Sequence, residues 1–263
     1  MPVAGNSRKW MGAFALTGAA MVVAGALSPA VAAAEDVTPY VIGGHDATED
    51  YSFMVSLQSD GNPFCGGSLI RPDWVVTAAH CVDGQDPAQI STRIGSREYS
   101  GGGSEAGASR IIVHPDYQPG PSGADIALVQ LDRAVEQQPI SIAAETGGAG
   151  TPTRILGWGQ HCFDQNCQEP PLVLQELDTK VVADDQCVKF TAGKEICTDS
   201  DTPDAQGCFG DSGGPQIKGR PGSWELVGAT SRDGDEDPMC ATGTGIWTDV
   251  TVHAEWIEQN AVS

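Results

Sequence analysis

The chain has 263 residues, rich in glycine (33) and proline (17), with 6% aromatics and a formal net charge of −21. That length suits one large domain or two small ones with a proper buried core, and the turn-rich composition suits an all-β protein. The acidic balance argues against nucleic acid and anionic membrane as partners; it fits an exported protein kept in solution by charge, or one that draws cationic substrates.

Residues 1–34 read as a signal peptide. Arg8 and Lys9 form a short positive region, an apolar stretch runs from Trp10 to Leu27, Pro29 breaks it, and Ala32-Ala33-Ala34 supplies a small-residue cleavage site. That site argues against the competing reading, an uncleaved anchor. No other stretch is long and apolar enough to span a bilayer, so no membrane association is expected once the leader is removed. The Ala- and Gly-rich leader points to a bacterial exporter. Residues 35–40 form a short acidic stretch that reads as a propeptide.

Short β-rich runs bounded by turn residues follow: 53–57, 67–70, 74–77 and 126–131, then 154–158, 177–182, 225–229 and 245–250. Gly101-Gly102-Gly103-Ser104 reads as a hairpin tip, and residues 147–152 as the boundary between two halves. Residues 252–257 read as one helix with Val252, Trp256 and Ile257 on its buried face.

All eight cysteines follow the leader: Cys65, Cys81, Cys162, Cys167, Cys187, Cys197, Cys208 and Cys240. An even count in an exported chain implies disulfides. A zinc site needs clustered ligands, and only Cys162 and Cys167 lie close together, so no metal and no cofactor are expected.

Three segments carry chemistry: Thr77-Ala78-Ala79-His80-Cys81, Ala124-Asp125-Ile126-Ala127-Leu128 and Gly210-Asp211-Ser212-Gly213-Gly214-Pro215. Each alone has an ordinary structural reading. Together, in the order His, Asp, Ser, they resemble the trypsin/chymotrypsin family of serine proteases, and the resemblance runs from Val41 to the C-terminal helix. It implies two antiparallel six-stranded β-barrels with a C-terminal helix, a single peptidase domain over 41–263, and an activity against protein or peptide substrates. It also implies a catalytic triad of His80, Asp125 and Ser212. A serine hydroxyl is a poor nucleophile without a base in hydrogen-bond reach, and the base needs a group that fixes its tautomer. The amides of Gly210 and Ser212 would form the oxyanion hole.

By the same resemblance, Val41-Ile42-Gly43-Gly44 is the mature N-terminus, freed by cleavage after Tyr40, and the Val41 ammonium pairs with Asp211. The family pattern implies bridges Cys65–Cys81, Cys187–Cys197 and Cys208–Cys240, which leaves Cys162 with Cys167 as a local bridge outside the common pattern. Gln206 falls at the floor of the specificity pocket, where trypsin-like members carry Asp. Phe209 falls at its rim, Gly207 and Gly245 keep it open, and Ser231 starts the strand that pairs with substrate backbone. Arg232 and Asp233 stand where relatives usually carry an aromatic residue and a glycine. The expected P1 preference is uncharged and large; a basic preference through Asp233 is the alternative.

A catalytically silent binding homologue is the reading from another class, and such homologues usually lose a triad residue or the oxyanion glycines, which are all present. An α/β-hydrolase would need the order Ser, Asp, His. Protein protease inhibitors are expected partners, and the chain is expected to be monomeric and extracellular.

Overall fold

The computed structural model describes residues 41–121, 123–162 and 169–262. The expected signal peptide, the propeptide and Cys167 lie outside these residues. Six strands close a first barrel: β2 (Met54–Ser59), β3 (Asn62–Arg71), β4 (Trp74–Thr77), β5 (Ser91–Ile94), β6 (Ser104–Val113) and β7 (Ala127–Leu131). The short strand β1 (His45–Asp46) precedes it, and helix α1 (Ala79–Val82) follows β4. The order around this barrel is β2-β3-β4-β7-β6-β5, and β5 returns to β2 through Val55 and Ile94.

After β8 (Ser141–Ile142) come the strands of the second barrel: β9 (Pro152–Gly157), β10 (Gln175–Val181), β11 (Glu195–Asp199), β12 (Pro215–Arg220), β13 (Ser223–Asp233) and β14 (Gly245–Asp249). They run β9-β10-β11-β14-β13-β12, and β12 closes on β9 where Gln216 faces Ile155. Helix α2 (Ala254–Asn260) ends the chain's regular structure. Two closed six-stranded antiparallel barrels and a C-terminal helix are the expected architecture. Closure leaves neither barrel an unpaired edge.

The pattern of each strand shows why it folds this way. β4, Trp-Val-Val-Thr, is buried throughout, and Leu57, Leu69 and Leu128 fill the same core. Ile155, Leu177, Val227 and Trp247 fill the second. Strands with one wet face are less apolar. In β6 Ala106 and Ala108 point inward while Glu105, Ser109 and Arg110 face water, with a bulge between Ala108 and Arg110. β5, β6, β11 and β12 lie outside the runs expected from sequence, because polar, glycine and small residues make up much of their length.

Three features of the fold refine the expectations. Residues 101–103 end the connection 95–103 from β5 to β6, with Gly102 at φ +70° and Gly103 at φ +57°, and Ser104 already belongs to β6. β8 pairs with β13, so the chain reaches the second barrel's sheet before the turn at 147–151 that leads into β9. The helix is a correction: Val252 is 51% exposed, whereas Ile257 is buried and Trp256 is partly buried. Residues Thr251–His253 form a tighter 3₁₀ turn, and α2 starts only at Ala254. The tighter winding rotates Val252 off the face that an α-helix would have given it.

A buried carboxylate ties the start of the domain to the second barrel. Glu176 accepts hydrogen bonds from the hydroxyls of Tyr51 (2.6 Å) and Thr48 (2.8 Å) and from the Arg154 guanidinium (2.9 Å). Arg154 also lies over the Trp224 ring, 5.3 Å from its centroid. Burying that charge is tolerable only because each oxygen is satisfied.

Candidate active site

The three expected triad residues come from separate elements. His80 sits in α1, directly after β4. Asp125 lies two residues before β7. Both therefore belong to the first barrel, and Ser212 lies on the turn before β12 of the second.

Asp125 is buried at 4% exposure. Its Oδ1 accepts from the backbone N–H of His80 at 2.9 Å, and its Oδ2 lies 2.7 Å from His80 Nδ1. An ionised carboxylate only accepts, so Nδ1 carries the hydrogen, and Nε2, the other ring nitrogen, lies 3.8 Å from Cys81 Sγ. Ser231 donates its hydroxyl to the same Oδ2 at 2.7 Å, and Thr248 holds the Asp125 carbonyl at 2.8 Å. Burial pushes the Asp125 carboxyl up. The hydrogen bond and charge of His80, with the Ser231 hydroxyl and the His80 amide, outweigh it and hold the group below its ordinary value.

Ser231 reaches Asp125 because β13 bulges there: Thr230 faces Trp247 and Arg232 faces Ile246, so Ser231 is the extra residue. A bulge re-aims the side chain it carries. The expectation for Ser231 concerned substrate backbone; its contact with Asp125, across 106 positions, has no local sequence signal. The same holds for Thr248.

The Ser212 turn is held by backbone bonds: Asp211 N–H to Cys208 O at 3.0 Å, Gly214 N–H to Asp211 O at 2.9 Å and Gly213 N–H to Thr230 O at 2.8 Å. From the other barrel, Gly66 N–H donates to Ser212 O at 2.8 Å. Gly213 stands at φ +74°, and a Cβ there would lie 2.1 Å from Thr77 Oγ1 and 2.7 Å from Gly66 O. Only glycine lets the two barrels meet this closely beside Ser212. Gly210 stands at φ +98°. Among the described residues, the N–H groups of Gly210 and Ser212 meet no protein acceptor, which is the state an oxyanion hole requires.

Among the described residues, Asp211 shares no hydrogen bond with His80 or Asp125. It is buried and accepts from Gly159 N–H (2.8 Å) and Cys208 N–H (2.9 Å). Burial pushes its carboxyl up to about 6, against the lowering effect of those two amides. Among the described residues no side-chain cation pairs with it. Val41 is fully buried, and Ile42 pairs with Gln206, so the start of the domain is inserted beside the segment that carries Asp211.

His80, Ser212 and all five expected substrate-binding residues line one cavity of about 380 Å³: Gln206, Phe209, Ser231, Asp233 and Gly245. Gln206 is buried; its amide donates to Thr198 O at 3.3 Å and accepts from Gly207 N–H at 3.2 Å. Phe209 is 46% exposed, at the cavity's edge. Gly245 does more than leave space, since a Cβ would lie 2.4 Å from the Trp247 ring and 3.0 Å from Gln206 Cδ. Trp247 also lines the cavity.

Arg232 forms a two-pronged pair with the buried Glu195, at 2.7 and 2.9 Å, and also donates to Lys189 O at 2.9 Å. Of that pair, Arg232 lines the cavity. The bridges Cys208–Cys240 and Cys187–Cys197 brace the same region, and Cys65–Cys81 anchors α1 to β3. Cys162 is disulfide-bonded; Cys167, its expected partner, lies outside the described residues. Cys65, His80 and Cys81 bring ligand atoms within 4.8 Å of one another, but both sulfurs are spent in a disulfide.

Comparison with known proteins finds relatives along most of the chain. A family model described as Trypsin matches residues 41–257. A trypsin of Sarcophaga bullata is 34% identical over 241 residues, covering 86% of this chain and 91% of its own length. A trypsin of Saccharopolyspora erythraea is 35% identical, covering 73% of this chain and 86% of its own. Hypodermin-B of Hypoderma lineatum is 32% identical, covering 85% and 88%.

Proposed function

This chain belongs to the trypsin family of serine endopeptidases, and we propose that it hydrolyses peptide bonds through a triad of His80, Asp125 and Ser212. The observation that carries this reading is the His80–Asp125 pair. It spends Nδ1 on a buried carboxylate and leaves Nε2 as the base, on a residue that shares the substrate cavity with Ser212. His80 Nε2 takes the Ser212 proton as Oγ attacks the substrate carbonyl carbon. The carbonyl oxygen becomes an oxyanion held by the N–H groups of Gly210 and Ser212. The C–N bond breaks, and the amine leaves with the proton from His80. Water then gives a proton to Nε2 and attacks the acyl-enzyme; the C–Oγ bond breaks and Ser212 regains its proton.

The protein is exported by its leader and released as an extracellular zymogen. Cleavage after Tyr40 frees Val41, whose ammonium supplies the cation that Asp211 lacks. The buried Val41 side chain and the Ile42–Gln206 pairing support this. So does the backbone: Val41 stands at φ +46°, a costly conformation for a β-branched residue within a chain, on the order of 1–3 kcal/mol. Cleavage removes the preceding carbonyl that makes the angle costly. Protein beginning at Glu35 should therefore hydrolyse peptides at least about 10²-fold more slowly than protein beginning at Val41, as for a lost oxyanion donor. Asp211→Asn should bring the mature form down to a similar rate. Equal rates for the two N-termini, confirmed by N-terminal sequencing, would refute this activation.

The cavity floor is the neutral amide of Gln206, which does not offset the cost of desolvating a buried cation. That floor by itself favours a large uncharged P1 residue, such as Tyr, Phe, Leu or Met, and Tyr40 at the activation site fits that preference. Cleavage-site profiling of the mature enzyme at pH 5 on a diverse peptide library should show these residues at P1; a profile dominated at that pH by small, acidic or basic P1 residues would overturn the assignment. The residues that line the cavity all come from a single chain, which fits a monomeric enzyme, and protein inhibitors that present a P1 residue would occupy the same place.

A further inference from the structure

The substrate cavity carries a charge that the mechanism above does not use. Asp233 ends β13 directly opposite Gly245 of β14 and lies half-buried in the cavity wall. The charged groups on every neighbouring element are accounted for. Arg232, the adjacent residue, gives both terminal nitrogens to Glu195. In the loop after β13, Asp235 adds a second negative charge, and Asp237 accepts from Met239 N–H. Glu236 lies 3.8 Å from Lys189, the charged side chain of the neighbouring segment. β14 faces Asp233 with Gly245, and the floor offers the neutral Gln206. His80, in the same cavity, is bound to Asp125. Among the described residues, no cation pairs with Asp233.

A half-buried carboxylate without a partner either acquires a cation or takes up a proton. We propose that Asp233 makes P1 selectivity depend on its own charge: ionised, it takes the cation of a P1 lysine or arginine on the cavity wall, and protonated, it leaves the cavity to uncharged side chains. This rests on the reading of Ser212 as the nucleophile and of this cavity as the P1 pocket.

Burial, reinforced by the Asp235 charge, pushes the Asp233 carboxyl up to about 6. It is therefore neutral in mildly acidic solution, where an ordinary aspartate is already charged, and ionised at neutral pH. Lysine or arginine is then the better P1 residue at neutral pH, and the large uncharged residues favoured by Gln206 are better below about pH 6. A bound ammonium favours the ionised form and moves the change to lower pH for basic substrates.

The test measures kcat/KM of protein beginning at Val41 on two peptides that differ only at P1, lysine against leucine, from pH 5 to pH 8. The ratio of the two values cancels what the shared triad contributes. It should rise roughly 10-fold or more across this range, the worth of a charge-assisted hydrogen bond. Asp233→Glu should keep the rise and Asp233→Asn should abolish it, with thermal melts confirming that each variant is folded. A flat ratio in the unmodified enzyme, or a rise that persists in Asp233→Asn, overturns the proposal. If Asp233→Asn does not fold, Asp233→Ser replaces it in the same comparison and should likewise abolish the rise. Failure to hydrolyse any peptide would instead overturn the protease reading, and this assignment with it.

Discussion

Alanine at Ser212 should lower kcat for peptide hydrolysis by several orders of magnitude, on the order of 10⁶ where nucleophile and base act as one unit. The loss is this large because the other hydroxyls lining the cavity are committed elsewhere, Ser231 to Asp125 and Thr230 to the Gly214 carbonyl. The fold should survive. The bonds that hold the turn are made by backbone atoms of Gly66, Asp211, Ser212, Gly213 and Gly214, and alanine keeps all of them. The variant should melt with the unmodified protein and still bind substrate. Steady-state assays on purified protein check this, and near-normal turnover would remove Ser212 from the mechanism.

Asparagine at Asp125 should cost about 10⁴ in kcat, for a different reason. The amide is neutral and can donate a hydrogen, so it can turn Nδ1 into an acceptor and put the hydrogen on Nε2. The base that Ser212 needs is then lost, although the ring is still in place. The variant also loses an anion that accepts the His80 amide and the Ser231 hydroxyl. The Asp125 carboxyl lies below its ordinary value in the folded protein. Its ionisation therefore stabilises the fold above the ordinary aspartate range, and that contribution fades as pH falls through the depressed value. Acid unfolding of Asp125→Asn should lack this part of the pH dependence. Activity within tenfold of the unmodified enzyme would mean that Asp125 does not set the His80 tautomer.

The two raised carboxyls behave in the opposite sense. Asp211 and Asp233 are each pushed up to about 6 by burial. Their ionised forms oppose folding unless a cation arrives, proposed to come from the chain's own N-terminus in one case and from the substrate in the other. Of these three aspartates, Asp125 is satisfied internally, whereas Asp211 and Asp233 are proposed to gain from a partner supplied by cleavage or by binding.

The parts of this site that were legible in the sequence are those written in contiguous residues. Gly210 to Pro215 encodes a turn whose geometry depends on its own glycines, and Thr77 to Cys81 encodes the step from β4 into α1. Strands buried on both sides, such as Trp74 to Thr77, declare themselves by unbroken apolar character. Strands with one wet face do not: β6 packs only small alanines inward near its start, and β12 ends in Lys218-Gly219-Arg220. The misplaced Val252 shows a second limit, since helical periodicity does not distinguish a 3₁₀ turn from the first turn of an α-helix. Contacts across the chain were the least visible. Ser231 on Asp125, Thr248 on the Asp125 carbonyl and Arg232 on Glu195 join residues far apart in sequence, and the first depends on a bulge that no local pattern announces.

The most direct measurement of the central claim is covalent. Protein beginning at Val41 is treated with diisopropyl fluorophosphate, and adduct formation is followed by intact mass and peptide mapping alongside peptide hydrolysis. The serine oxygen displaces fluoride at phosphorus, so one adduct per chain should form, it should map to Ser212, and hydrolysis should fall in proportion to the labelled fraction. Full hydrolysis by completely labelled protein, or an adduct on another residue that accounts for the lost activity, would contradict the assignment of Ser212 as the nucleophile.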